Sequence, residues 1–306
     1  MKTRKFEIIA ALGFILLVLC LSSLRSYSQN VIYSSSVSTN ELHKIVINGS
    51  TETFTELSDE IKTAGIAAYG SFIFALSYGD VGEGNGKGKV TIRSYKISNG
   101  DATGHSLTID LNGNSNDDLG FVRFGSDKNG LAFILAKKLD GNTIYLDRVT
   151  LNATTGAISN HTEVSNNVTT SDNSNSNFIN GDLAFTGDGT LFVLANNGNG
   201  TTKVYTLDPY NSTILQKKWD VKKADGSSFN EQVSGIAFSS DGSLYVSTTG
   251  GLFYLDQNST NFNGKGTVKC TEINSATGIS DLASFYWPEA TRLPIRFISF
   301  KVTRTK

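Results

Sequence analysis

The sequence is built on a repeated pair of strands. Gly181-Asp182-Leu183-Ala184-Phe185, a turn at Asp188-Gly189 and Leu191-Phe192-Val193-Leu194 are matched by Ser234-Gly235-Ile236-Ala237-Phe238, Asp241-Gly242 and Leu244-Tyr245-Val246-Ser247. Each copy is an apolar strand, an Asp-Gly hairpin signal and a second apolar strand. Looser copies begin at Gly65, turning at Tyr69-Gly70, and at Gly120, turning at Asn129-Gly130. A third strand follows, with the signature apolar-Tyr-x-apolar and then Asp or another turn former: Val204-Tyr205-Thr206-Leu207-Asp208, Leu252-Phe253-Tyr254-Leu255-Asp256 and Ile144-Tyr145-Leu146-Asp147. A more polar fourth strand covers residues 105–111, 214–221 and 267–273, as suits an outer edge. One such unit cannot bury its own faces, so the copies must stack. Their period of about 55 residues exceeds the roughly 40–50 of common propeller repeats, and loop insertions account for the excess. The Asn/Ser/Thr-rich residues 166–179 read as one of these, a mobile surface loop.

The chain ends complete each other. Residues 31–34, 42–47 and 53–57 supply a second, third and fourth strand with no first. A surplus first strand, Ser280-Asp281-Leu282-Ala283-Ser284-Phe285, stands at the far end. Pairing them closes a ring with no long free edge. The expected fold is all-β: a β-propeller of about five four-stranded blades, the first closed by the C-terminal strand. The alternatives are an open β-solenoid or a pair of sandwiches, because periodicity alone does not show closure.

Composition narrows the setting. Among 306 residues, 39% are hydrophobic and 18% charged, which is globular, and the net charge of −1 offers no footprint for nucleic acid. Thirty Gly and three Pro suit many short strands and polar turns. Lys2, Arg4 and Lys5 precede an apolar run over residues 8–21, then a small polar stretch with Ser26-Tyr27-Ser28 before Gln29. That is the plan of a secretory signal peptide over residues 1–28, with an uncleaved membrane anchor as the alternative. The propeller is expected over 29–288 and a C-terminal linker over 289–306. Without the first segment Cys270 is the one cysteine, so no internal disulfide forms, and a structural thiol on a strand is expected.

The pattern Gly-Ile-Ala-Phe, Asp-Gly, Leu-Tyr-Val and Tyr-x-Leu-Asp resembles repeats of the broad NHL, strictosidine-synthase-like and quinoprotein-like propeller superfamily, over about residues 30–287. The resemblance implies the fold. These are packing and turn residues, so it implies no particular activity; some relatives hydrolyse lactones with a metal at the channel mouth, and others only bind. Leu293-Pro294-Ile295-Arg296-Phe297-Ile298-Ser299-Phe300 resembles the opening of a C-terminal β-module in secreted Bacteroidota proteins, ahead of a type IX secretion sorting signal. It implies a secreted or surface protein whose module is truncated or vestigial.

Candidate chemistry lies where innermost strands meet the channel. Asp118, Asp182 and Asp281 open such strands, and three converging carboxylates would suit Ca²⁺ or another hard cation. Asn180, Glu231, Gln232 and Ser234 stand beside them as candidate binding residues. The competing reading is that each Asp bonds backbone. The loop over residues 110–118 lacks the Gly and Glu of a calcium loop, and the Gly-rich residues 79–89 lack phosphate-loop spacing. His43, His105 and His161 form no zinc pattern. Two functions follow: an exported, non-enzymatic propeller that binds a protein or glycan, or a metal-dependent lactonase-like hydrolase. No cofactor besides Ca²⁺ is implied. Membrane contact is expected only through the N-terminal segment, and nothing in the sequence sets the oligomeric state.

Overall fold

The computed structural model describes residues 30–288, apart from 37, 49–50, 59–60, 62, 64, 79–87, 112–118, 140, 199, 241, 257–265 and 275–277. Residues 1–28, read above as a signal peptide, Asp118 and the 293–300 motif lie outside the described residues. β1 (Asn30–Ser36), β2 (Glu41–Asn48) and β3 (Thr51–Ser58) form one antiparallel meander. Four more follow as complete blades. Blade 2 is β4 (Gly65–Tyr69), β5 (Phe72–Tyr78), β6 (Lys89–Lys96) and β7 (Ala102–Asp110). Blade 3 is β8 (Leu119–Ser126), β9 (Leu131–Lys138), β10 (Ile144–Leu151) and β11 (Ile158–Thr170). Blade 4 is β12 (Asn180–Phe185), β13 (Leu191–Asn196), β14 (Lys203–Leu207) and β15 (Ile214–Lys223). Blade 5 is β16 (Val233–Phe238), β17 (Leu244–Thr248), β18 (Gly251–Asp256) and β19 (Gly266–Asn274). Last comes β20 (Asp281–Ala283), which pairs with β1, Tyr33 opposite Ala283 and Ser35 opposite Asp281. Blade 1 is therefore β20-β1-β2-β3, and the C-terminal strand closes it as expected.

The turns show why the repeat carries Gly where it does. Gly189 and Gly242 sit at φ 87° and 82°, a region open to Gly at little cost. Each donates its N–H back across the turn, Gly189 to Thr186 and Gly242 to Ser239. Inner and middle strands are apolar on both faces because each blade is sandwiched between two others. The core is accordingly five slabs, one per seam. Ile32, Ile45, Ala237 and Leu282 fill the seam between blades 5 and 1; Tyr33, Ile66, Ile73 and Ala283 fill the next. Phe124, Ile134 and Ile92 lie between blades 2 and 3; Phe133, Phe185 and Val193 between 3 and 4; Phe192, Phe238 and Val246 between 4 and 5. Cys270 is buried in that last slab, and burial pushes its thiol well up, as a structural thiol requires.

The innermost strands β20, β4, β8, β12 and β16 are neighbours in a closed circle. The circle is tight. A Cβ on Gly235 would stand 2.4 Å from the Leu282 backbone nitrogen. Gly235→Ala is therefore expected to push β16 from β20 and cost about 1–3 kcal/mol, read as a lower Tm with unchanged strand content.

The rim differs from the sequence reading. Residues 166–179 are ordered structure, not a mobile loop. β11 runs on to Thr170 and pairs in parallel with β15, Thr169 opposite Ile214. Val168 and Phe178 are buried, and the Asn175 carboxamide accepts from the Thr170 N–H and hydroxyl. Asn side chains here satisfy backbone, which composition cannot reveal. β15 also pairs in parallel with β19, from Trp219 opposite Gly266 to Lys223 opposite Cys270, so blades 3, 4 and 5 are laced at their outer edges.

Candidate functional site

Around the axis, each seam is crossed by one side chain bonding to the backbone of the neighbouring blade. Asp281 Oδ2 accepts from Ile66 N–H at 2.5 Å, joining blades 1 and 2. Ser126 donates to the Ala68 carbonyl at 3.0 Å, joining 2 and 3. Arg123 Nε donates to the Gly181 carbonyl, joining 3 and 4. Asp182 Oδ2 accepts from Ile236 N–H at 2.6 Å, joining 4 and 5, and Ser234 donates to the Ile279 carbonyl at 2.7 Å, joining 5 and 1. Inner strands of different blades share no ladder, so these bonds do between blades what pairing does within them.

Two of the three expected carboxylates meet. Asp182 and Asp281 come from blades 4 and 1, are both fully buried, and lie within hydrogen-bonding reach of each other. Asp281 Oδ1 also accepts from Leu282 N–H at 2.8 Å, whereas Asp182 Oδ1 has no donor. Burial pushes both carboxyls up. On Asp182 the charge of Asp281 and the bond to it add to burial; on Asp281 the Asp182 bond, the Arg123 charge and two N–H donors oppose it. Two such groups cannot both ionise cheaply, so sharing one proton is the arrangement expected of the pair.

The candidate binding residues divide. Ser234 is held in its seam and by Ser247 at 3.0 Å. Glu231 forms an ion pair with Lys223 at 2.9 Å, and its carbonyl accepts from the Asn196 amide. Asn196 stands opposite Asn180, bringing Asn180 and Glu231 to one neighbourhood at the start of β12 and β16, where Gln232 is exposed. Arg123 was missed by the sequence reading. A lone Arg within Phe121-Val122-Arg123-Phe124 was the available signal; its guanidinium lies 4.9 Å over the Phe121 ring.

The other end of the axis is strapped. After β20 the chain crosses the ring, so that Trp287 Nε1 donates to the Ser126 carbonyl in blade 3 at 2.7 Å. Pro288 then accepts from Gly187 N–H, beyond β12 in blade 4, at 2.7 Å. Beneath lies a cavity walled by Ala67, Gly125, Ala184, Ala237 and Ala283, with about 20 Å³ for a water-sized occupant, room for about one water. Trp287→Ala should lower Tm by removing that bond and its packing, about 2–4 kcal/mol. Faster hydrogen exchange in β8 and β12 than in β2 would place the damage at the strap.

No known protein-family profile matches the chain, and no curated protein does. Its matches among solved structures are distant. A protein of unknown function from Bacteroides caccae is 11% identical, covering 76% of this chain and 70% of its own, with TM-score 0.37. Virginiamycin B lyase from Staphylococcus aureus is 12% identical over 76% of this chain and 64% of its own, with TM-score 0.34. AztD from Citrobacter koseri is 14% identical over 84% and 62%, with TM-score 0.27. The chain spans less than two thirds of the latter two proteins. The five-bladed ring rests on the strand pairing above.

Proposed function

We propose that this chain is an exported β-propeller that binds a protein or glycan outside the cell or at its surface, without catalysis. One observation carries the reading: among the described residues, the axis, where a propeller enzyme would work, leaves room for no more than about one water. Asp182 and Asp281 are fully buried and bonded to the backbone of adjacent blades, and the far end is strapped. Ligand contact then falls to the exposed loops and to the neighbourhood of Asn180 and Gln232. The signal-peptide pattern and the C-terminal resemblance support export. The test is a glycan array together with pull-down from extracellular-matrix and surface-protein preparations. Saturable binding weakened by Gln232→Ala and Asn180→Ala supports the reading; silence in both, beside a working control, removes it.

A metal-dependent hydrolase is the second reading, and the meeting of Asp182 with Asp281 favours it. Lactone and ester substrates with added Ca²⁺, Mn²⁺ or Zn²⁺ decide between the two. Metal-dependent turnover lost in a folded Asp182→Asn variant would replace the binding reading.

A further inference from the structure

Blade 3 carries another buried carboxylate, on its third strand. In the third-strand signature Asp147 reads as a turn former, as Asp208 is: Asp208 follows β14 and accepts from Tyr210 N–H at 3.1 Å. Asp147 instead lies inside β10, opposite Ile134 of β9, with none of its surface exposed. Its neighbours two residues either way, Tyr145 and Val149, pack in the slab between blades 2 and 3. Strand alternation therefore aims Asp147 into the same seam.

The outer strand is bent to meet it. β9 and β10 pair without a break, but the register of β10 against β11 shifts three times, after Ile144, Leu146 and Arg148. Asn160 takes the left-handed conformation at φ 54°, and the next residue, His161, brings Nε2 to 2.7 Å from Asp147 Oδ1. Glu163 stands directly opposite Asp147 in the ladder. Asp147 Oδ2 has no partner at all. A buried carboxylate with an orphaned oxygen and a second carboxylate across the ladder is a costly arrangement unless a proton joins it.

The rest of the seam supplies little help. β6 offers Val90 and Ile92 on that side, while Arg93 turns the other way to Ser77 at 3.3 Å. β7 offers Leu107 and Ile109, with exposed His105 two residues before Leu107 on the same face. Among the described residues, the titratable groups around Asp147 are thus His161 and Glu163 from β11, Tyr145 on its own strand and His105 across the seam.

We propose that Asp147, His161 and Glu163 form a proton-uptake site that holds the outer strand of blade 3 to the core in mildly acid solution and loosens it toward neutrality. The ligand is a single proton. On Asp147 it makes a neutral acid, which keeps its bond to His161 and is freed of the repulsion from Glu163. Burial pushes the Asp147 carboxyl up to about 6, a rise that the His161 bond and charge reduce and Glu163 augments. A folded-state value above the ordinary 3.8 means that the stabilisation is complete below that value and is lost as pH rises through about 6. Because β11 also pairs with β15, loosening it reaches the lacing of the rim.

Hydrogen exchange of the β11 amides over residues 158–167 tests this on the whole chain, at pH about 5 and about 7.5, after correction for the intrinsic rate. Protection of β11 should fall about tenfold more between the two than that of β13, which follows the stability of the ring as a whole. Asp147→Asn occupies the same space without ionising and should leave β11 with only the pH dependence of β13. Glu163→Gln should move the midpoint to lower pH. Wild-type β11 protection that changes with pH no more than that of β13, or the same excess in Asp147→Asn, overturns the proposal. Should Asp147→Asn fail to fold, an unmoved midpoint in the exposed Glu163→Gln variant overturns it equally.

Discussion

A chain ending before Gly278 is expected not to form a cooperative propeller, although only one short strand is lost from the described fold. β20 is the inner strand of blade 1 and fills two seams, with Leu282 against Ile32 and Ala237 on one side and Ala283 against Tyr33 and Ile66 on the other. It also brings Asp281, the acceptor for Ile66 N–H, and the strap to blades 3 and 4. Without it, β1 and β4 face water along edges that were paired or packed, and the ring has two ends. Losing the Leu282 side chain alone would cost about 2–5 kcal/mol, set against a total stability of about 5–15 kcal/mol for a domain. The whole strand should exceed what is available. The expected result is a broad, non-cooperative thermal transition with 1-anilinonaphthalene-8-sulfonate binding. A sharp transition at the full-length Tm would show that the ring does not depend on closure. Adding residues 278–288 as a separate peptide should restore part of the cooperativity.

Asp281→Ala is expected to be the most damaging single substitution at the axis. It strands the amides of Ile66 and Leu282, both without access to water, at about 1–3 kcal/mol each. Asp182→Ala strands only Ile236 and should cost about half as much. Urea unfolding gives both values directly, and equal effects would contradict the roles assigned here. pH separates the pair further. Both carboxyls are raised above their ordinary range, so their contribution is fully present below about 4 and is lost as pH rises through their folded values. Wild-type stability should therefore decline from mildly acid toward alkaline pH. Asp182→Asn, which donates an N–H where the acid donates its proton, should flatten that decline. A slope unchanged by Asp182→Asn would show that no proton is shared.

Much of this was legible in the chain. Asp188-Gly189 and the apolar runs around it announce a hairpin because turn conformation and strand burial are local properties. Asp182 and Asp281 drew attention as polar residues opening apolar strands, and they do meet. Their use was not legible: whether a buried Asp accepts a neighbouring blade's N–H or serves a ligand depends on what lies across the seam. Arg123 was overlooked because a single charge in an apolar strand carries no spacing. Asp147 was misjudged because in this blade the strand continues beyond the signature, and a residue that ends β14 elsewhere is interior here. The Asn-rich residues 166–179 misled for a related reason, since composition does not show that their carboxamides meet backbone.

What the sequence determined by itself is the blade: which residues pair, where they turn, how many units there are, and that the last strand belongs to the first. Those follow from period, propensity and turn chemistry, which act between near neighbours. Tertiary structure alone decided how the blades are held together, through the five bonds around the axis, the strap over one mouth, the laced rim and the carboxylates carried inside. These contacts join residues as much as 215 positions apart, as in the bond from Ile66 to Asp281. Their partners are chosen by the closing of the ring, and no local pattern encodes that choice.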